Sequence, residues 1–206
     1  MLSNNANVVK RIDDIYKQLS INDKPINQKH IADPVLWAQD SFDIELDPWQ
    51  IEALQSTSHR SLWNIHRQGG KSSIAALKGV HRCVFRSGSP VLLVSPSLRQ
   101  SSELFRKWLS YYDQLDGAPE LVESTKLTVE LSNGSRCVSL PGSEATIRGY
   151  SAPSLIIEDE ASRVSDEYFH ALTPMMAVSE GDFLLLSTPF GCRGHFHAIA
   201  TDPDND

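Results

Sequence analysis

No stretch of this chain approaches the roughly eighteen consecutive apolar residues of a membrane-spanning helix, and Met1 is followed by no signal-peptide pattern. Neither a membrane partner nor secretion is expected, and the expected location is a reducing cytoplasm. Cysteine is equally sparse. Cys83, Cys137 and Cys192 are scattered, odd in number and in no metal-ligand spacing, which leaves no disulfide framework to expect. Positive charge is short too: 19 Lys and Arg face 26 Asp and Glu, a net charge of −7. A domain that grips DNA unaided is more often basic, so any contact with DNA is local, weak or shared with other parts. There is no internal repeat and no low-complexity tract. What remains is ordinary: 206 residues with 40% hydrophobic and 22% charged content predict one good-sized domain or two small ones.

Hydrophobic periodicity gives the outline. Val8, Val9, Ile12, Ile15, Tyr16 and Leu19 predict an amphipathic N-terminal helix, followed by a polar connector over about 20–29. Asp33-Pro34 and Asp47-Pro48 each open a helix with an N-cap and a proline in the first turn. Leu62–Ile65, Val91–Val94, Leu155–Ile157 and Phe183–Leu186 are solid apolar runs and read as buried strands. Helical patterns lie between them: Ile74, Leu77, Val80 and Val84, then Leu98 to Tyr112, then a helix from about Asp166 that Pro174 is expected to interrupt. Between Lys126 and Leu140 the period becomes two, broken by Asn133-Gly134, a hairpin signal that also disposes of Asn133-Gly134-Ser135 as a glycosylation sequon. Buried strands alternating with helices predict an α/β fold, a mostly parallel sheet covered on both faces, with a β-hairpin insertion and N-terminal helices.

The chemistry gathers in three places. Arg67-Gln68-Gly69-Gly70-Lys71-Ser72 stands between a strand and a helix, where glycines and a helix N-terminus cradle phosphates. Lys71 is expected at the β- and γ-phosphates and Ser72 on Mg²⁺. A P-loop normally carries glycine six residues before its lysine; here that place holds Ile65. The second place is Glu158-Asp159-Glu160, at the end of a buried strand, where α/β ligand sites sit. Asp159 is expected to hold Mg²⁺ and Glu160 to polarise water, while strand alternation turns Glu158 to the other face. The third is Ser187-Thr188-Pro189, whose hydroxyls could sense the γ-phosphate. Gln50 offers a donor and an acceptor suited to adenine, and Arg67 and Arg148 are candidates to meet transition-state charge, Arg148 in cis or in a neighbouring subunit. His195-Phe196-His197 would put two histidines on one side of an extended segment, a weak metal pair. Trp63, Trp108, Met175 and Met176 read as core.

In order and spacing, from Leu46 to His197, these motifs resemble the ATPase domain of the large terminase subunit, the motor that packages DNA in tailed phages. The resemblance implies a P-loop (RecA/ASCE-like) fold binding ATP and Mg²⁺, with residues 46–206 as the ATPase domain and 1–45 as a helical extension. It assigns Gln50 to adenine, and Arg67, Gln68, Gly69, Gly70, Lys71 and Ser72 to Walker A. Asp159 and Glu160 match Walker B, and Ser187 and Thr188 match the coupling motif. Arg148 matches a trans-acting arginine finger of a ring. Double-stranded DNA, a portal protein, a small terminase subunit and further copies of the chain are the implied partners. The hairpin and N-terminal helix are expected to be peripheral to the chemistry. No carboxylate cluster for the family's nuclease is visible, so no nuclease activity is expected. A single lobe of a superfamily-2 helicase and a nucleotide-binding assembly module remain as alternatives.

Overall fold

A computed structural model describes residues 28–141, 150 and 152–203. The N-terminal helix predicted from Val8 to Leu19, and Arg148 with its neighbours, lie outside the described residues. Three short helices come first: α1 (Gln28–Ala32), α2 (Pro34–Phe42) and α3 (Pro48–Gln55). Asp33 caps α2, its carboxylate accepting from Val35 N and Leu36 N at 3.0 and 3.1 Å. Then follow β1 (Arg60–Asn64), α4 (Lys71–Phe85), β2 (Pro90–Ser95), α5 (Leu98–Tyr112), β3 (Leu121–Ser124), β4 (Thr128–Leu131) and β5 (Arg136–Pro141). The chain continues through β6 (Leu155–Asp159), a 3₁₀ turn (Ala161–Arg163), α6 (Asp166–Ser179), β7 (Asp182–Ser187) and α7 (Gly194–Thr201).

Seven strands form one sheet in the order β1-β7-β6-β2-β5-β4-β3. The five from β1 to β5 run parallel, as their apolar sequences require, and β4 and β3 add an antiparallel margin. The predicted hairpin is β4–β5, and its second strand continues the parallel sheet beside β2. Its tip closes the far end of α4: Asn133 Nδ2 donates to Cys83 O at 2.8 Å, and Gly88 N donates to Asn133 O at 3.0 Å. That end is about 20 Å from the first turn of a fifteen-residue helix. All four residues of β3 are exposed, so the strand carries no buried apolar run by which a sequence pattern could reveal it.

Each face of the sheet has its own core. On one, α4 and α5 pack with Trp37 and Ala38 of α2 over Val91, Leu93, Leu155, Ile157, Leu184 and Leu186. A Cβ on Gly79 would meet the Trp108 ring at 3.2 Å, so glycine lets α4 and α5 approach. On the other, Tyr168, Leu172 and Met176 of α6 and Phe196 of α7 cover Leu92, Val94, Ile156, Phe183 and Leu185. Trp63, Trp108 and Met176 are core, as their apolar settings imply.

Two expectations are corrected. Pro174 does not interrupt α6, which runs unbroken from Asp166 to Ser179. Pro174 and His170 are both exposed, so water can satisfy the carbonyl that the missing N–H leaves free. The segment holding His195 and His197 is helix α7, not an extended strand, so residues two apart point to different sides. Among the described residues no group of three or more His, Cys, Asp or Glu comes together as a metal site.

Lys78, in α4, reaches back to the end of α3, donating to Ala53 O and Ser56 O at 3.0 Å each. Burial lowers its pKa to about 8, opposed by Asp182 and assisted by Arg82. The folded chain therefore gives up this proton before the unfolded one, and the stability contribution of Lys78 rises with pH between about 8 and 10.5. Comparing unfolding free energies of the wild type and Lys78→Met should show the wild type gaining on the variant across that window, by on the order of 1–3 kcal/mol. Parallel pH profiles would contradict this.

Candidate active site

The phosphate loop leaves β1 and enters α4, and each of its glycines has a physical reason. Ile65 N donates to Ser187 O at 3.1 Å, which anchors the start of the loop to β7. A Cβ on Gly69 would come within 2.6 Å of Ile65 Cγ2. The side chain at 65, where a P-loop has glycine, is therefore accommodated by the glycine at 69. Gly70 is left-handed at φ 83°, and a Cβ there would come within 2.8 Å of Gln50 Nε2. Gln68 is also left-handed, at φ 64°. Left-handed residues just before a helix gather backbone N–H groups into an anion-binding nest, and the positive end of α4 adds to it.

Gln50 lies against this loop. Its Nε2 donates to Gly69 O at 3.3 Å, and its Oε1 accepts from Asp47 N at 3.0 Å. The predicted adenine reader thus braces the loop and caps its own helix through the same amide. Arg67 and Gln68 are exposed, and the Arg67 side chain has no hydrogen bond or ion pair among the described residues.

Opposite the loop stands the end of β6. Lys71 is only 8% exposed, and its Nζ lies 3.6 Å from Glu160 Oε1. Ser72 Oγ donates to Asp159 Oδ2 at 3.0 Å. Asp159 Oδ1 accepts from Glu160 N at 2.9 Å, holding Glu160 in a left-handed conformation at φ 55°. Left-handed backbone is uncommon outside glycine and persists where the surroundings impose it. Burial pushes the Asp159 carboxyl above its ordinary range; the Ser72 hydrogen bond opposes this, and the neighbouring Glu160 charge adds to it. A buried carboxylate facing a serine hydroxyl is a hard-oxygen pair suited to Mg²⁺, which takes few protein ligands and completes its shell with water and phosphate. The four predicted residues Lys71, Ser72, Asp159 and Glu160 therefore come together.

The Ser187 hydroxyl does not face this concavity as expected. Ser187 follows Phe183 and Leu185 at steps of two and so shares their face, the reverse of the one that carries Asp159. Its hydroxyl lies 2.6 Å from Ser162 Oγ, and both hydroxyls reach Thr188 O at 3.0 Å. Ser187 Oγ also accepts from Ser162 N at 3.3 Å. The end of β7 is thereby joined to the turn behind Glu160.

Sequence reasoning missed that turn. Arg163 Nε lies 3.8 Å from Glu160 Oε2, and its guanidinium stacks 3.9 Å above the Phe190 ring. It also missed the partner of Glu158, which faces away from the loop as alternation predicts and is fully buried. His195 Nε2 lies 2.9 Å from Glu158 Oε1, and His195 Nδ1 lies 3.2 Å from Asp166 Oδ1. Phe169 stacks on the imidazole with centroids 4.3 Å apart. Burial raises the Glu158 pKa against the opposing hydrogen bond from His195. For His195, burial would lower the pKa, but the two carboxylates outweigh it and the net shift is upward. An acid inside an apolar strand required a buried partner; only the fold says that the partner is His195.

A groove of about 740 Å³ runs along β1, the last strand of the sheet, lined by Trp49, Trp63, Phe169, Phe183 and Ile199 among others. It touches none of Lys71, Ser72, Asp159 and Glu160 and is a separate feature.

No protein-family model matches the chain. In sequence it is similar to the probable large terminase subunit of Enterobacteria phage P7, 29% identical over 180 residues, covering 76% of this chain and 35% of that protein. In structure it is similar to the large-terminase ATPase domain of Thermus phage P74-26, with a TM-score of 0.72 and 20% identity over 81% of this chain and 73% of that one. The fold is that of a large-terminase ATPase domain. The large terminase of a thermophilic bacteriophage, in complex with ATP-γ-S, is also similar, at TM-score 0.58 and 10% identity, covering 75% of this chain and 41% of that one. The chain spans about a third of the length of the curated large terminases it matches. Among the described residues, no helix is long and apolar enough to cross a membrane.

Proposed function

We propose that this chain hydrolyses ATP with Mg²⁺ and is the motor domain of a phage or prophage large terminase, driving double-stranded DNA into a procapsid. The observation that carries the reading is the convergence of Lys71, Ser72, Asp159 and Glu160 at one edge of the sheet, with Ser72 Oγ at 3.0 Å from Asp159 and Lys71 Nζ at 3.6 Å from Glu160. The backbone of 67–70 and the first turn of α4 cradle the phosphates, with Gln50 steadying the loop and reaching the adenine. Ser72 and Asp159 hold Mg²⁺, which supplies charge neutralisation at the phosphate oxygens when bound. Lys71 moves its charge onto the β- and γ-phosphates. Glu160, so released, orients the attacking water and accepts its proton. Arg67 in cis and Arg148 in trans meet the charge that develops on the transferred phosphoryl. The large terminases named above are the relatives that support this role.

Such a motor works as a ring of copies beside a portal protein and a small terminase subunit in the host cytoplasm, and its activity depends on assembly. Residues 46–206 form the ATPase domain and 1–45 flank it, although α2 contributes Trp37 and Ala38 to the same core. The test is steady-state ATP hydrolysis against protein concentration, with and without duplex DNA, for wild type, Glu160→Ala and Arg148→Ala. The rate per chain is expected to climb with concentration and to fall in both variants. A rate flat with concentration and indifferent to Arg148 would overturn the trans-completed motor. Stimulation by single strands above duplex would favour a helicase lobe.

A further inference from the structure

We infer that Arg163 is a positioning residue for Glu160, held by stacking on Phe190, so that the segment leaving β7 sets where the catalytic carboxylate points. The inference rests on Glu160 being the general base. Three features lead to it. The backbone of Glu160 is fixed, left-handed and bonded through its N–H to Asp159 Oδ1 at 2.9 Å, so the remaining freedom lies in the side chain. The two carboxylate oxygens are divided between cations: Oε1 lies 3.6 Å from Lys71 Nζ and Oε2 lies 3.8 Å from Arg163 Nε. Once phosphates draw Lys71 away, Arg163 is the cation that stays beside Glu160 among the described residues.

A half-exposed ion pair at this distance would ordinarily hold little, because solvent screens it and both side chains are free to leave. Here the guanidinium is restrained by the Phe190 ring 3.9 Å beneath it, with Arg193 5.8 Å from the same centroid. Phe190 is 40% exposed, so this cation–π contact lies at the rim of the site. Nor is the turn that carries Arg163 free to drift. Ser162, its neighbour, is bonded to Ser187 Oγ and Thr188 O at 2.6 and 3.0 Å. Two independent contacts, one polar and one cation–π, thus tie the residues just after Glu160 to the residues 187–190. A shift of that segment must move Arg163, and with it the Oε2 side of the base.

The experiment is single-turnover ATP hydrolysis by the 206-residue chain, together with equilibrium binding of ATP-γ-S. It covers wild type, Glu160→Gln, Arg163→Ala, Arg163→Lys, Phe190→Leu and the Arg163→Ala/Phe190→Leu double variant. Arg163→Ala is expected to slow the hydrolytic step about tenfold or more, with nucleotide affinity within about twofold and the melting midpoint little changed. Phe190→Leu should slow the same step, the double variant should be no slower than Arg163→Ala, and Arg163→Lys should recover part of the rate. A wild-type rate in Arg163→Ala beside a dead Glu160→Gln overturns the inference and leaves the site reading intact. So does a loss of affinity that accounts for the whole loss of rate, or a double variant whose effects multiply. If Glu160→Gln itself hydrolyses at the wild-type rate, the reading of the base fails and the inference fails with it.

Discussion

Glu160→Gln is expected to bind nucleotide within about twofold of wild type and to hydrolyse it slower by a factor on the order of 10²–10⁴. The amide keeps the size and reach of the carboxylate, and the left-handed backbone, held through the Glu160 N–H and Asp159 Oδ1, does not depend on the side chain. What disappears is the negative charge that can take a proton from water. Affinity is largely spared because the phosphates are held by the loop, the first turn of α4 and Lys71, not by an acid that would repel them. Calorimetric binding of ADP and ATP-γ-S, set beside single-turnover hydrolysis, separates the two effects. Hydrolysis at the wild-type rate would place the base elsewhere.

Lys71→Ala should do the reverse, acting first on binding. Lys71 is buried, its Nζ 3.6 Å from Glu160 Oε1, at the first residue of α4 beside the nest formed by 68–70. A hydrogen bond to a charged group contributes about 1.5–3 kcal/mol, which is roughly a 10- to 150-fold loss of nucleotide affinity. The same substitution strands Glu160 without its closer cation, so residual turnover should also fall. Lys71→Arg is not expected to restore binding, because a planar guanidinium does not fit the buried space of an ammonium. Equal ADP and ATP-γ-S affinities in wild type and Lys71→Ala would remove Lys71 from the phosphate site.

Much of this was legible in the chain before folding. Solid apolar runs such as Val91–Val94 and Leu155–Ile157 announce buried parallel strands, and Gly69-Gly70-Lys71-Ser72 followed by Asp159-Glu160 announces their shared edge. Glu158 could be turned away from the loop by alternation alone. Less was legible where periodicity is silent or competes with exposure. Strand β3 has no buried residue, Pro174 sits on the wet side of α6, and His195 to His197 is too short a stretch to tell helix from strand.

The division has a physical basis. Local spacing along the chain determined what one stretch does by itself: a helix N-terminus made for phosphate, an apolar strand ending in acids, a hairpin turn at Asn133-Gly134. Such properties depend on backbone geometry over a few residues, which sequence encodes directly. Contacts between residues far apart in the chain were decided only by the tertiary structure. Ser72 meets Asp159, Ser187 turns to Ser162 instead of to the phosphate loop, Glu158 finds His195, and Arg163 rests on Phe190. Those pairings follow from strand order and register in the sheet, where β6 stands between β2 and β7, and no local pattern carries that information.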